Sequence, residues 1–155
     1  MTRIVFYYKT DTVLKTYVRK EGYISLKYFK EYNNNPYGEN IDDCVIRAIS
    51  LFTHRDYYEV FDALCEYAGE DREPNQGNVF LPWLISQGYE VREFTEKITV
   101  SKFLNELNET EGVEDLDMLL LVNGHLTAIM GGVCYDTWDC GRYRAQLMIV
   151  KDGEI

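Results

Sequence analysis

Apolar residues recur with two different spacings along this chain, and the spacing changes after residue 110. RIVFYY at 3–8 and VLKTYVR at 13–19 are rich in β-branched and aromatic residues, with KTDT between them as a turn. They predict a β-hairpin within about 1–22, or two edge strands. ISLKYFKEY at 24–32 predicts a short helix, and NNNPYGEN at 33–40, dense in Asn, Pro and Gly, predicts a loop. Val45, Ala48, Ile49 and Phe52 then fall on one helical stripe, with Asp42 or Asp43 placed to cap its start. A second helix is expected from about 57 to 67, with Val60, Phe61, Leu64 and Cys65 as its apolar face. NVFLPWLISQG at 78–88 predicts a third, starting near Leu81 because Pro82 is tolerated only in a first turn. YEVREF at 89–94 predicts a strand, and TVSKFLNELNET at 99–110 a helix with Ser or Thr near its cap.

Beyond residue 116 the helical spacing is gone. DMLLLVN, HLTAIM, VCYDTWD and AQLMIV read as successive strands, and Gly131-Gly132 gives the tightest hairpin signal in the chain. Helices first and an antiparallel sheet last make an α+β pattern. With 155 residues and no repeat or linker, the expectation is one domain over 1–155.

Composition narrows the function classes. The chain is 46% hydrophobic and 14% aromatic, which supports a packed core. A net charge of −10 argues against general nucleic-acid binding, which needs cations to neutralise phosphates. No apolar run approaches the ~20 residues of a membrane helix, and the first residues lack a signal-peptide cleavage site. The expected address is therefore the cytoplasm, with no membrane partner. The charge is uneven: residues 1–30 hold seven Lys or Arg against two acids, for +5, and the remainder holds −15. That suits either a basic hairpin packed on an acidic body or a partner-docking arm.

Four cysteines, at 44, 65, 134 and 140, form no CxxC pair and match no common zinc spacing, so no metal is expected and the thiols should stay reduced. Cys65 and Cys134 read as buried filler. Cys44 leads the apolar stripe of its helix instead of joining it. A helix N-terminus favours the thiolate, while Asp42 and Asp43 oppose it, so a cation is needed nearby. His54 cannot supply it. It stands at the far end of the same helix, about fifteen ångströms away at ~1.5 Å per residue.

His125 opens HLTAIM, just before the glycine pair. If Gly131-Gly132 is the hairpin loop, Met130 faces Val133, Ile129 faces Cys134, Thr127 faces Asp136 and His125 faces Trp138. All but the first of these pairs share one side of the sheet. Asp136 is then the diagonal neighbour of His125, within about 7–8 Å between Cα atoms, and Asp139 lies on the other side. A carboxylate there would fix the imidazole tautomer and stabilise its protonated form, supplying the cation that Cys44 lacks.

NIDDCVIRAIS together with GHLTAIMGGVCYDTWD resembles the papain-like cysteine peptidases. The closest likeness is to small bacteriophage-borne members with an Asn-x-x-Asp-Cys-x-x-Arg-Ala helix and a His…Asp-Thr-Trp-Asp hairpin. The likeness spans about 40–140. It implies a nucleophile helix packed on an antiparallel sheet, with Cys44 as nucleophile, His125 as general base, Asp136 as orienting residue and no cofactor. It also implies an oxyanion donor a few residues before the cysteine, where Asn40 matches best and Asn35 less well, with the Cys44 amide as second donor. Arg47 would pair with Asp43 or with an acid of the body. The implied activity is a thiol peptidase or isopeptidase acting on a protein or peptide, in the host cytoplasm if phage-encoded. Two other readings use the same residues: an acyltransferase or transglutaminase-type enzyme, and a non-catalytic binding protein that meets a host factor through its thirteen tyrosines.

Overall fold

The computed structural model describes residues 27–153. The hairpin expected at 1–22 lies outside the described residues. The order of elements is β1 (Phe29–Glu31), α1 (Cys44–Thr53), α2 (Tyr57–Ala68), α3 (Gly77–Ser86), β2 (Tyr89–Thr99), α4 (Val100–Leu107), β3 (Asp117–Val122), β4 (His125–Met130), β5 (Val133–Asp136) and β6 (Arg144–Lys151). This is an α+β fold. Among the described residues it has four helices and one six-stranded sheet of order β1-β5-β4-β3-β6-β2.

The sheet is mixed, not antiparallel. β1 pairs in parallel with β5, setting Phe29 beside Cys134 and Glu31 beside Asp136, while the other pairings are antiparallel. The helix expected over 24–32 is therefore corrected: 29–31 form an edge strand, and 24–26 lie outside the described residues. Short apolar runs do not separate helix from strand by spacing. Here the open edge of β5 decides, because the Cys134 amide donates to Tyr28 O and the Tyr32 amide to Asp136 O, both at 2.8 Å. β1 thus pins the strand end that carries Asp136.

The sheet is covered on both faces. α1, α2 and α3 pack Val45, Ile49, Phe52, Leu64, Phe80 and Leu84 over Leu119, Leu126, Ala128 and Ile149. On the other face, Phe103, Leu104 and Leu107 of α4 meet Met118, Leu120, Ile129, Met148 and Val150. Burial on both faces explains why β3 reads as an unbroken apolar run, DMLLLV, without alternation.

The α1 stripe is buried as its spacing predicts. In α2 the buried row is Val60, Leu64 and Ala68, spaced by four, so Phe61 and Cys65 sit on the flank and Phe61 is exposed. α3 starts at Gly77, four residues before Leu81, and holds Pro82 in its interior. Proline at 82 cannot donate to the carbonyl of Asn78; Arg72 Nη1 donates to it instead at 3.3 Å, while Nε and Nη2 reach the carbonyls of Ala68 and Tyr67 near the end of α2. β2 runs past Phe94 to Thr99, whose hydroxyl caps α4 by accepting from the Lys102 amide. β5 stops at Asp136, so Thr137, Trp138 and Asp139 leave the ladder and turn over the sheet end. Among the described residues no helix is long and apolar enough to cross a membrane.

Candidate active site

Cys44 is the first residue of α1. Asp43 holds the N-cap position, but its carboxylate does not cap. It is drawn sideways, accepting from Arg47 Nε at 2.7 Å, Asn35 Nδ2 at 2.8 Å and the Tyr57 hydroxyl at 2.8 Å. No acid occupies the first turn either, so its amides are left to act on the half-buried thiol.

The β4–β5 hairpin sets the partner. Met130 pairs with Val133, Ile129 with Cys134 and Ala128 with Tyr135, which is the register of a two-glycine loop. His125 Nε2 then lies 2.6 Å from Asp136 Oδ2, with the imidazole 14% and the carboxylate 2% exposed. Asp139 instead turns back to accept from the Gly141 amide. The imidazole and the Cys44 thiol also interact, each favouring the charged form of the other. Three residues from α1, β4 and β5 therefore meet at one point.

The electrostatics follow from these contacts. Burial pushes the Cys44 thiol up, but the hydrogen bond with His125 and one from the Leu126 amide outweigh it, against a contrary push from Asp42, and the net direction is down. Burial pushes His125 down. The hydrogen bonds with Asp136 and Cys44 overcome that and raise it to about 9. Asp136 is likewise penalised by burial, yet bonds from His125, the Thr127 hydroxyl and the Thr137 amide hold it below the usual carboxylate range.

Further residues complete the site. The Trp138 ring lies on His125 with centroids 4.8 Å apart and planes at 49°, and Tyr143 braces it edge-on at 5.5 Å. Arg47 bridges two acids, Asp43 at 2.7 Å and Asp136 at 3.4 Å, so both pairings open to it in the sequence are made. A narrow crease beside Cys44 is lined by Asn34, Arg47, Leu126, Thr127 and Asp136. Asn34 Nδ2 donates to the Arg47 carbonyl, and its Oδ1 is buried without a partner among the described residues.

Among the described residues, the remaining candidates are not hydrogen-bonded to Cys44, His125 or Asp136. Asn40 is exposed, with no side-chain hydrogen bond to hold it among the described residues. Asn35 is committed to Asp43 and to the turn amides of Tyr37 and Glu39. His54 closes α1 in a left-handed conformation, 74% exposed, 3.5 Å from Asp117. Cys134, Asp136 and Cys140 place ligand-type atoms within 4.8 Å of one another. Both oxygens of Asp136 are already engaged, however, and a hydrogen bond to Cys134 together with burial pushes the Cys140 thiol far up.

Comparison with protein-family models, with curated proteins and with solved structures returns no match.

Proposed function

We propose that this chain is a cysteine-dependent acyl hydrolase of papain-like architecture, a thiol peptidase or isopeptidase with a protein or peptide substrate. One observation carries the reading: a single imidazole joins a helix-start thiol to a buried carboxylate 2.6 Å from its Nε2. A nucleophile helix laid on a sheet that carries base and orienting acid supports the same reading. Thiol, base and orienter in hydrogen-bonded sequence are the arrangement that nucleophilic catalysis needs.

In this mechanism the Cys44 thiolate attacks the scissile carbonyl carbon. The Cys44 amide at the start of α1 donates to the developing oxyanion, and Asn40 is proposed as second donor. His125, protonated through Asp136, gives its proton to the leaving amine as the C–N bond breaks, leaving a thioester on Cys44. The neutral imidazole then takes a proton from water, the hydroxide displaces sulfur, and the acid departs as thiolate and imidazolium are restored.

The test uses quenched-fluorescent peptide and isopeptide libraries, with mass spectrometry of Cys44 after acid quench. Turnover and an acyl adduct on Cys44 are expected, both lost in Cys44→Ala. Adding amines to the trapped adduct separates water from amine as acceptor. Absence of any Cys44-dependent adduct or turnover across both libraries would sink the reading.

A further inference from the structure

We propose that Arg47 is a positioning residue: it fixes which oxygen of Asp136 serves His125 and ties that carboxylate to the start of α1. The inference rests on the Cys44–His125–Asp136 reading above. Its basis is a closed circuit of contacts. Asp136 Oδ1 accepts from the Thr137 amide at 2.7 Å and meets Arg47 Nη1 at 3.4 Å, which leaves Oδ2 for His125 at 2.6 Å. Arg47 Nε holds Asp43 at 2.7 Å, and Asp43 is the residue bonded in sequence to Cys44. The circuit therefore runs Cys44, His125, Asp136, Arg47, Asp43 and back to Cys44.

Asp43 is itself anchored from two other elements, by Asn35 of the preceding loop and Tyr57 of α2. Asp43, Arg47 and Asp136 are all buried, at 5%, 6% and 2%. Buried ion networks of this kind contribute little net stability compared with apolar packing. What a guanidinium adds is a planar fork that spans two carboxylates at fixed angles. A lysine ammonium has the charge without the fork. Sliding of α1 along the sheet would separate thiol from imidazole, and Arg47 couples that slide directly to the Asp136 carboxylate.

The test compares wild type with Arg47→Lys and Asp43→Asn. One readout is the rate of iodoacetamide alkylation at Cys44 against pH, read by peptide mass so that Cys65 does not interfere. The other is the downfield proton resonance of the His125 ring N–H held by Asp136, assigned with His54→Gln and His125→Gln. Arg47→Lys is expected to slow alkylation at pH 6 by about tenfold or more and to shift or broaden the resonance, since ångström-scale misplacement costs factors of this order. Asp43→Asn frees one arm of the fork and should move both readouts the same way by a smaller factor. It serves also if Arg47→Lys does not fold by circular dichroism. Either folded variant leaving both readouts at wild-type values overturns the inference while the hydrolase reading stands. A wild type whose Cys44 reacts no faster than a model thiol below pH 7 overturns both.

Discussion

Oδ2 of Asp136 stands 2.6 Å from Nε2 of His125, across a hairpin whose two-glycine loop leaves no freedom of register. The pair is buried on the carboxylate side and interacts with the Cys44 thiol on the other.

Asp136→Asn keeps the shape and removes the charge. Burial alone pushes the His125 imidazole down, and the bond to Asp136 is the largest opposing influence. His125 should therefore titrate lower by at least about one unit, followed by its ring carbon protons in NMR. An unchanged titration would mean that the carboxylate does not hold the proton.

The same shift has a consequence for stability. His125 is raised from 6.5 to about 9 in the folded chain, so its contribution is complete below about pH 6.5 and is lost as pH rises through about 9. At ~1.4 kcal/mol per unit the loss is at most about 4 kcal/mol. In a Cys44→Ala background, which removes the opposing linkage of the lowered Cys44 thiol, urea midpoints should fall between about pH 6.5 and 9.5, and those of Cys44→Ala/His125→Phe should fall less. Parallel curves would contradict the shift.

Trp138 covers the imidazole at 4.8 Å while its own outer edge is exposed. Trp138→Ala should admit water to the His125–Asp136 bond, lower the alkylation rate of Cys44 at pH 6 several-fold and cost about 1 kcal/mol of stability. Trp138→Phe keeps an aromatic face and should recover most of the rate. If the alanine variant matches wild type, the ring is not shielding the pair.

Gly132 sets the hairpin. Its φ is +80°, and a Cβ there would meet Asn108 Oδ1 and Val113 Cγ2 at 2.7 Å each. Asn108 also donates to the Gly132 carbonyl at 2.8 Å, tying the loop to the end of α4. Gly132→Ala should cost about 2 kcal/mol or more by chemical denaturation. A neutral effect would show that the loop can relax without cost.

How far this arrangement is legible in the sequence differs between its parts. Two local rules give the local placements: helix spacing puts Cys44 first, and the glycine pair sets a register that selects Asp136 over Asp139; the meeting of α1 with β4 is a long-range contact that only the resemblance implies. The local sequence of β1 reads as helix because its partner, β5, lies about a hundred residues away and supplies the ladder that the local sequence lacks. The interior Pro82 of α3 is similarly illegible, since Arg72, outside the helix, satisfies the carbonyl that proline leaves free. Arg47 showed its i, i+4 acid but not its reach to Asp136. Asn34 gave no signal beyond membership of an Asn-rich loop. The hairpin register puts Trp138 near His125, but the chain leaves the ladder after Asp136, so the ring reaches the imidazole from outside the strand pairing.

The central claim, that His125, kept protonated by the ionised Asp136, holds Cys44 as a thiolate, is tested most directly by the pH dependence of Cys44 alkylation in wild type and His125→Ala. The account predicts that wild-type Cys44 reacts below pH 7 much faster than a free thiol, and that the alanine variant loses this reactivity, its limb moving up past pH 8. Identical profiles in the two proteins, or a wild-type limb at the ordinary thiol position, would contradict it.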